Sequence, residues 1–296
     1  MGEFFCFRWS ALFVIELADV DFAYPTQFEE ESGERDDSRR IIRRVSFRVK
    51  SGEFVCLLGA NGCGKTTIAK LMNGLLVPSS GSVKVDGYDT ADDEELYRVR
   101  QLVGLIFQDP TRQLVASTIE DELAFGPENL GIPPAEIRQR IDWALKMLKL
   151  EDLRFREPHY LSGGQAQRVA IASVLVMQPR YLIMDEPTAM LDSAGRRSVL
   201  EVIENLRQEL GMAVIYITHH MEEVMQADRV LAVKDGAIAF EGRPQELFVD
   251  ERVVGELALE LPALAQLVNS INKLGYKLPM ESQWQKLAEN LRELLH

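Results

Sequence analysis

Residues 54–72 read FVCLLGANGCGKTTIAKLM, and no other stretch limits the possible folds so sharply. Phe54–Leu58 is a short, unbroken apolar run, the pattern of a strand covered on both faces. It stops at Gly59. Lys65 then opens a segment with apolar residues at Ile68, Leu71, Met72 and Leu75, which is one face of a helix. Between strand and helix, Gly59, Gly64, Lys65 and Thr66 fill the pattern G-x-x-x-x-G-K-[ST]. Glycines let backbone N–H groups turn inward around an anion, and the helix start adds the positive end of a dipole. On this reading Lys65 reaches the β- and γ-phosphates of a nucleotide and the Thr66 hydroxyl holds Mg²⁺. The match spans the whole pattern in its proper strand and helix setting, which leaves little room for a plain glycine turn.

The rest of the chain agrees with such a beginning. ALFVIELADVDFAYP reads as a strand that starts within 11–17 and ends near Tyr24. IIRRVSFRVKSGE alternates as a second strand, and GSVKVDG and LVGLIFQD are two more. YLIMDE and AVIYITHH are buried strands, and RVLAVKDGAIAFEG is a hairpin turned at Asp235-Gly236. Between Thr118 and Met177 the pattern becomes helical. Ile137, Ile141, Ala144, Leu145 and Leu148 share a face, and Pro133 and Pro134 sit where a helix can start. The tail, 244–296, is helical again: Leu264, Leu267, Val268, Ile271 and Leu274 form one face, and Trp284, Leu287, Leu291 and Leu294 another. Strands alternating with helices predict an α/β domain with a largely parallel sheet.

Two further stretches carry chemistry. In YLIMDEP, Asp185 ends an apolar strand, where a carboxylate could hold the Mg²⁺ of a neighbouring phosphate loop. Glu186 is adjacent, and neighbouring side chains at a strand end diverge, so Glu186 is assigned as general base toward an attacking water. Leu161–Gln165, LSGGQ, places a hydroxyl and two glycines before a helix, a second anion-binding N-terminus. One chain cannot wrap both grips around a single triphosphate. Two chains set head to tail can, each completing the other's site.

Composition narrows the setting. The 296 residues carry a formal net charge of -13, which argues against broad nucleic-acid binding, since that needs fields of Lys and Arg. Cys6, Cys56 and Cys63 show no disulfide or metal spacing and suit a reducing compartment. The apolar start, FFCFRWSALFVIEL, is shorter than the ~20 residues a spanning helix needs and is interrupted by Arg8 and Glu16. The acidic loop within 28–38 reads as a solvated surface segment.

Taken together, GANGCGKT, YLIMDE and LSGGQ resemble the Walker A, Walker B and signature motifs of the ATP-binding cassette (ABC) ATPase family. The resemblance covers about residues 15–242. It implies a P-loop NTPase fold of the ABC type: a mainly parallel core sheet, an antiparallel β subdomain and an inserted helical subdomain (about 110–177) within 11–243. A C-terminal helical extension (244–296) and an N-terminal extension (1–10) flank it. It further implies ATP and Mg²⁺ as ligands. The phosphate loop would supply Gly59, Asn61, Gly62, Cys63, Gly64, Lys65, Thr66 and Thr67, with Cys63 offering only its backbone. Ser162, Gly163, Gly164 and Gln165 would meet the nucleotide held by a second chain. Gln108 in IFQDP matches the Q-loop glutamine, which senses Mg²⁺, and Thr66, Gln108 and Asp185 form the implied metal set. Asp192 matches the D-loop, His219 the switch histidine at the γ-phosphate, and Tyr24 the aromatic that stacks on adenine. Lys65, Gln108, Glu186 and His219 would then be the catalytic group.

FQDPTRQL, STIEDELAFGPENLGIP and TAMLDSAGRRSVL are similar to the ATPases of energy-coupling factor (ECF) and cobalt-type importers. That branch implies a dimer of cassettes, identical or not, and a transmembrane T subunit docked across 113–128. It also implies an S component that carries a vitamin or metal ion, a place on the cytoplasmic face of the membrane, and a tail that helps the ATPases pair. The alternatives are the ATPase of a conventional ABC importer and a soluble, non-transport ABC ATPase. Three departures stand out. Thr111-Arg112 replaces an acidic-polar pair, Ala166 replaces a basic residue that would put charge near the partner's phosphates, and the acidic insertion before Arg39 is long.

Overall fold

The computed structural model describes residues 14–25, 40–280 and 284–295; Cys6, the first ten residues and the acidic stretch 28–38 lie outside that description. The chain begins with β1 (Val14–Phe22), β2 (Ile42–Lys50), β3 (Phe54–Leu58), α1 (Lys65–Met72), β4 (Ser80–Val85), β5 (Tyr88–Asp89), α2 (Asp93–Leu102) and β6 (Val103–Ile106). Three longer helices follow, α3 (Ile119–Asn129), α4 (Pro134–Met147) and α5 (Gly163–Leu175). The chain then returns to strands with β7 (Tyr181–Asp185), α6 (Ser193–Leu210), β8 (Ala213–Thr218), α7 (Met221–Val224), β9 (Arg229–Lys234) and β10 (Ala237–Gly242). It finishes with α8 (Pro244–Val249), α9 (Glu251–Glu256), α10 (Ala263–Lys273) and α11 (Trp284–Leu295).

Two sheets result. One is antiparallel, in the order β2-β1-β4-β5. The other runs β10-β9-β3-β8-β7-β6 and is parallel except for β10, which returns through the Asp235-Gly236 turn with both φ angles positive. The side-chain period of two divides β3 between two cores. Phe54, Cys56 and Leu58 face the helices, while Val55 and Leu57 face α1 and the antiparallel sheet. Burial on both sides explains why β3, β7 and β8 read as unbroken apolar runs whereas β2 alternates. The apolar faces of α3, α4 and α5 join the first core through Ile119, Leu123, Ile141, Leu145 and Val169.

The expected ABC-type α/β architecture is present, with local differences. Leu75 lies beyond the end of α1 and is exposed, and Leu267 and Leu274 point to solvent although Leu264 and Val268 are buried. Leu75 and Leu274 fall past the last helical turn, where the backbone leaves the helix, whereas Leu267 lies within α10 and is 37% exposed. β5 and α2 carry too little apolar periodicity to stand out: α2 is charged on most of its surface and buries only Val99 and Leu102. A small separate core of Leu264, Val268, Leu278 and Leu287 joins α10 to α11, whose Trp284 and Leu294 side chains lie outside the described residues.

Candidate active site

Sheet register brings the site together. Leu58 pairs with Thr218 and Asp185 with Ile217, so β3, β8 and β7 end at one level, and the loops beyond them share the rim. Rims at the carboxyl ends of parallel strands are where open α/β sheets bind ligands.

At the end of β3 the loop admits only glycine at two points. A Cβ on Gly59 would lie 2.3 Å from the Val233 carbonyl oxygen, and one on Gly64 would lie 2.6 Å from Ile42 Cδ1. Gly64 also has φ near 110°, outside the range of other residues. Lys65, buried at 6% exposure, donates to the carbonyls of Gly59 (2.8 Å) and Ala60 (2.9 Å) and so closes the loop on itself. The Thr66 hydroxyl donates to Asp185 Oδ2 at 2.7 Å. Burial raises the Asp185 carboxyl above its usual range, against the opposing pull of the Thr66 hydroxyl and Lys65.

Glu186 diverges from Asp185 as expected, by a left-handed backbone with φ 48°. Its N–H bonds the Ile217 carbonyl, its Oε2 accepts Gln108 Nε2 at 3.0 Å, and its Oε1 lies 3.5 Å from His219 Nδ1. A cleft of about 370 Å³ is lined by Ile41, Asn61, Gly62, Gly64, Lys65, Thr66, Thr67, Gln108, Asp185 and Glu186. His219 instead borders an adjoining, wider groove with Gly59 and Ala60. Tyr24 stands at the exposed end of β1, edge-on to Phe22 with ring centroids 4.9 Å apart, and does not line the cleft. Cys63 is half-buried, and burial pushes its thiol up, so it is no poised nucleophile.

Ser162, Gly163, Gly164 and Gln165 lie elsewhere. Ser162 is the N-cap of α5, and its side chain and that of Gln165 satisfy each other's backbone N–H groups. The two glycines are the first helical residues rather than a turn before the helix. Here a Cβ would meet nothing closer than 3.7 Å on Gly163 or 3.9 Å on Gly164, so the fold itself does not require glycine. A second cleft, about 350 Å³, is lined by these residues with Arg168, Met190, Leu191, Asp192 and Gly195, and shares no residue with the first. Asp192 caps α6 by accepting Gly195 N–H at 2.7 Å. Ala166 is buried, so that position faces the interior; the cation of this cleft is Arg168, which the sequence reading did not single out. Met190, exposed in the same cleft, was also missed.

Residues 42–189 match the model of the ABC transporter family. The energy-coupling factor transporter ATP-binding protein EcfA1 of Caldanaerobacter subterraneus subsp. tengcongensis is 43% identical over 269 residues, covering 91% of this chain and 95% of that protein. The solved structure of cbiO1 from Clostridium perfringens, part of the ABC transporter complex cbiONQ, superposes with TM-score 0.72 at 34% identity, covering 86% of this chain and 98% of that one. A dimeric, post-hydrolysis structure of the ATP-binding cassette MJ0796 with ADP and Pi gives TM-score 0.66 at 30% identity, covering 78% and 98%.

The fold and the site therefore define an ABC ATPase, and the chain belongs to that family. Within it, the chain is an ATP-binding and ATP-hydrolysing transporter subunit of the energy-coupling factor type. Among the described residues, no helix is long and apolar enough to cross a membrane.

Proposed function

We propose that this chain hydrolyses Mg²⁺-ATP at the interface of two cassette subunits, identical or related, and so powers an importer of vitamins or transition-metal ions. The observation that carries the reading is the separation of the two grips. The phosphate loop closes one cleft, while Ser162, Gly163 and Gly164 open another with room to spare. Such a helix start, uncharged and self-capped, has its use against the nucleotide of a second chain.

In this account the loop from Gly59 to Thr67 cradles the phosphates and Lys65 turns from its own carbonyls to the β- and γ-oxygens. Tyr24 stacks on the base, and Asp192 joins the partner's site beside the signature residues. Glu186 orients and activates water, and His219, 3.5 Å away, steadies the γ-phosphate. Gln108, already bonded to Glu186, links the water site to the metal. The donor set fits Mg²⁺: a hydroxyl and a carboxyl oxygen 2.7 Å apart, the carboxyl short of solvation, leave the remaining positions to phosphates and water. When bound, the ion neutralises charge on the β- and γ-oxygens.

Closure and reopening of the dimer would be passed to a transmembrane T subunit across 113–128, and through it to an S component that delivers cargo at the cytoplasmic face. That stretch has suitable features. Val115 and Phe125 are exposed, and Glu122 fixes the loop by accepting the N–H groups of Val115 and Ala116, both at 2.8 Å. Gln113 Oε1 accepts the Phe107 N–H, next to Gln108. Thr111 and Arg112 both bind Asp109 and complete the same turn. The extension at 244–296 would help the two ATPases pair.

The test is a pull-down of tagged Glu186→Gln protein from its host's membranes, in mild detergent with ATP. A second cassette, a T-like membrane protein and a small S component are expected. Membrane partners of a conventional importer, or recovery only with soluble assemblies, would contradict the ECF assignment.

A further inference from the structure

One buried carboxyl group has no part in the scheme above. Glu223, on α7, is 3% exposed. Its Oε1 accepts the Thr188 hydroxyl at 2.6 Å and its Oε2 accepts the Thr218 hydroxyl at 2.5 Å. The Tyr216 hydroxyl donates to Thr188 Oγ1 at 3.3 Å, and the His220 N–H donates to Thr218 Oγ1 at 3.0 Å. Tyr216, Thr188 and Thr218 are as buried as Glu223. Burial, with Glu223 nearby, holds the Tyr216 hydroxyl well above its usual range, so it remains a proton donor.

The network joins the segments that matter most. Thr188 lies just beyond Glu186, in a turn where Ala189 N–H bonds the Glu186 carbonyl and Leu191 N–H bonds the Thr188 carbonyl. That turn leads directly to Asp192. Thr218 immediately precedes His219. Glu223 therefore grips, from beneath, both segments whose side chains meet at the 3.5 Å approach of Glu186 to His219. Apolar side chains could fill such a space without the desolvation cost of a carboxyl group. What they could not do is fix two hydroxyls at a set separation.

We propose that Glu223 is a positioning residue for ATP hydrolysis. It sets the spacing of Glu186 and His219 and ties that pair to the loop ending at Asp192, so that contact with a second cassette and alignment of the catalytic pair change together. The proposal rests on the roles given above to Glu186 and His219.

The experiment compares Glu223→Ala, Glu223→Gln and the exposed neighbour Glu222→Ala in the full chain, assembled as its complex. Glu223→Ala is expected to lower kcat at least about tenfold, the scale of a misplaced catalytic group, with KM for ATP changed by less than about twofold. Glu223→Gln, which keeps one acceptor and gains a donor, should recover most of the loss, and Glu222→Ala should match wild type. Should Glu223→Ala fail to fold, Thr188→Val cuts one grip without hollowing the core, and it too should lower kcat at constant KM. Wild-type kcat in the folded variant, or a loss that moves kcat and KM together without rescue by Gln, overturns the proposal. Amide exchange gives a reading that needs no hydrolysis: His220 and Leu191 should exchange about tenfold faster in Glu223→Ala, as expected when a local anchor is lost. Unchanged exchange there refutes the anchor even in a chain that hydrolyses ATP. Faster exchange in a chain that hydrolyses none leaves the anchor standing and refutes the functional reading.

Discussion

The two clefts use the same device, backbone N–H groups at a helix start, in opposite ways. In the phosphate-loop cleft every important group already has a partner in the chain. Lys65 binds its own loop, Thr66 binds Asp185, Gln108 binds Glu186, and a side chain on Gly59 or Gly64 would collide. In the signature cleft, Ser162 and Gln165 satisfy only each other, and a Cβ on Gly163 or Gly164 would make only ordinary contacts, at 3.7 Å or more. Glycine at the start of a helix costs stability relative to alanine. Where packing demands it, as at Gly59, the fold explains the residue. Where packing does not, as at Gly163, the explanation lies in what docks there. On the proposed reading, one cleft is a site built for folding and binding alike, and the other is half of a site.

That contrast can be broken most severely at Glu186. Glu186→Gln should lower ATP turnover by about 10²–10⁴-fold, the span of a lost general base, while ATP still binds. A turnover assay beside a nucleotide titration measures both, and near-normal hydrolysis would remove the catalytic assignment. Next comes the glycine comparison. Gly163→Asp should fold as wild type and bind ATP normally, yet lose about 10²-fold in turnover, the scale of one lost pre-aimed donor. Gly59→Ala, by contrast, should lose about 3 kcal/mol or more of stability, seen by thermal unfolding, because the Val233 carbonyl must move. If both substitutions behaved alike, the difference between the clefts would be void. Lys65→Ala should weaken ATP binding by about 10- to 100-fold, as for other hydrogen bonds to charged groups, without unfolding the chain.

The smallest effect sharpens the account away from the nucleotide. Arg154 bonds Glu120 and Asp142 at 2.7 and 2.5 Å and fastens the segment before Ser162 to the start of α3. The Arg154 hydrogen bond holds the Glu120 carboxyl below its usual value of 4.5. A lowered carboxyl pKa adds stability above the ordinary value and loses it as pH falls through the folded one. Arg154→Ala should therefore cost about 1 kcal/mol near neutral pH, as partly exposed pairs do, and progressively less below pH 4.5. Chemical denaturation at two pH values checks the sign.

How far the sequence reveals this arrangement depends on whether the chemistry is local. Gly59–Thr67 is legible because strand, loop and helix are contiguous and phosphate chemistry tolerates few residues at each position. Asp185 and Glu186 are legible only beside that loop, because two acids after an apolar strand are by themselves an ordinary solvated strand end. The direction of a single side chain on a helix is less so. Ala166 reads as a missing surface charge, yet it is buried, and Arg168 supplies the cation. Helix ends mislead in the same manner at Leu75 and Leu274, since periodicity continues in the residues after the backbone has turned away. Glu223 is illegible, because its partners Thr188 and Thr218 come together only through the register of β7 against β8.

The central claim, that each ATP site is shared between two chains, is tested most directly by sedimentation of the full-length Glu186→Gln protein. It would be run with and without Mg²⁺-ATP, alone and with its copurifying cassette, and repeated with Gly163→Asp added. The account predicts that ATP drives closed dimers in the first protein, and that adding Gly163→Asp abolishes them although ATP still binds. Equal dimerisation in the doubly substituted protein, or ATP binding that never produces a dimer, would contradict it.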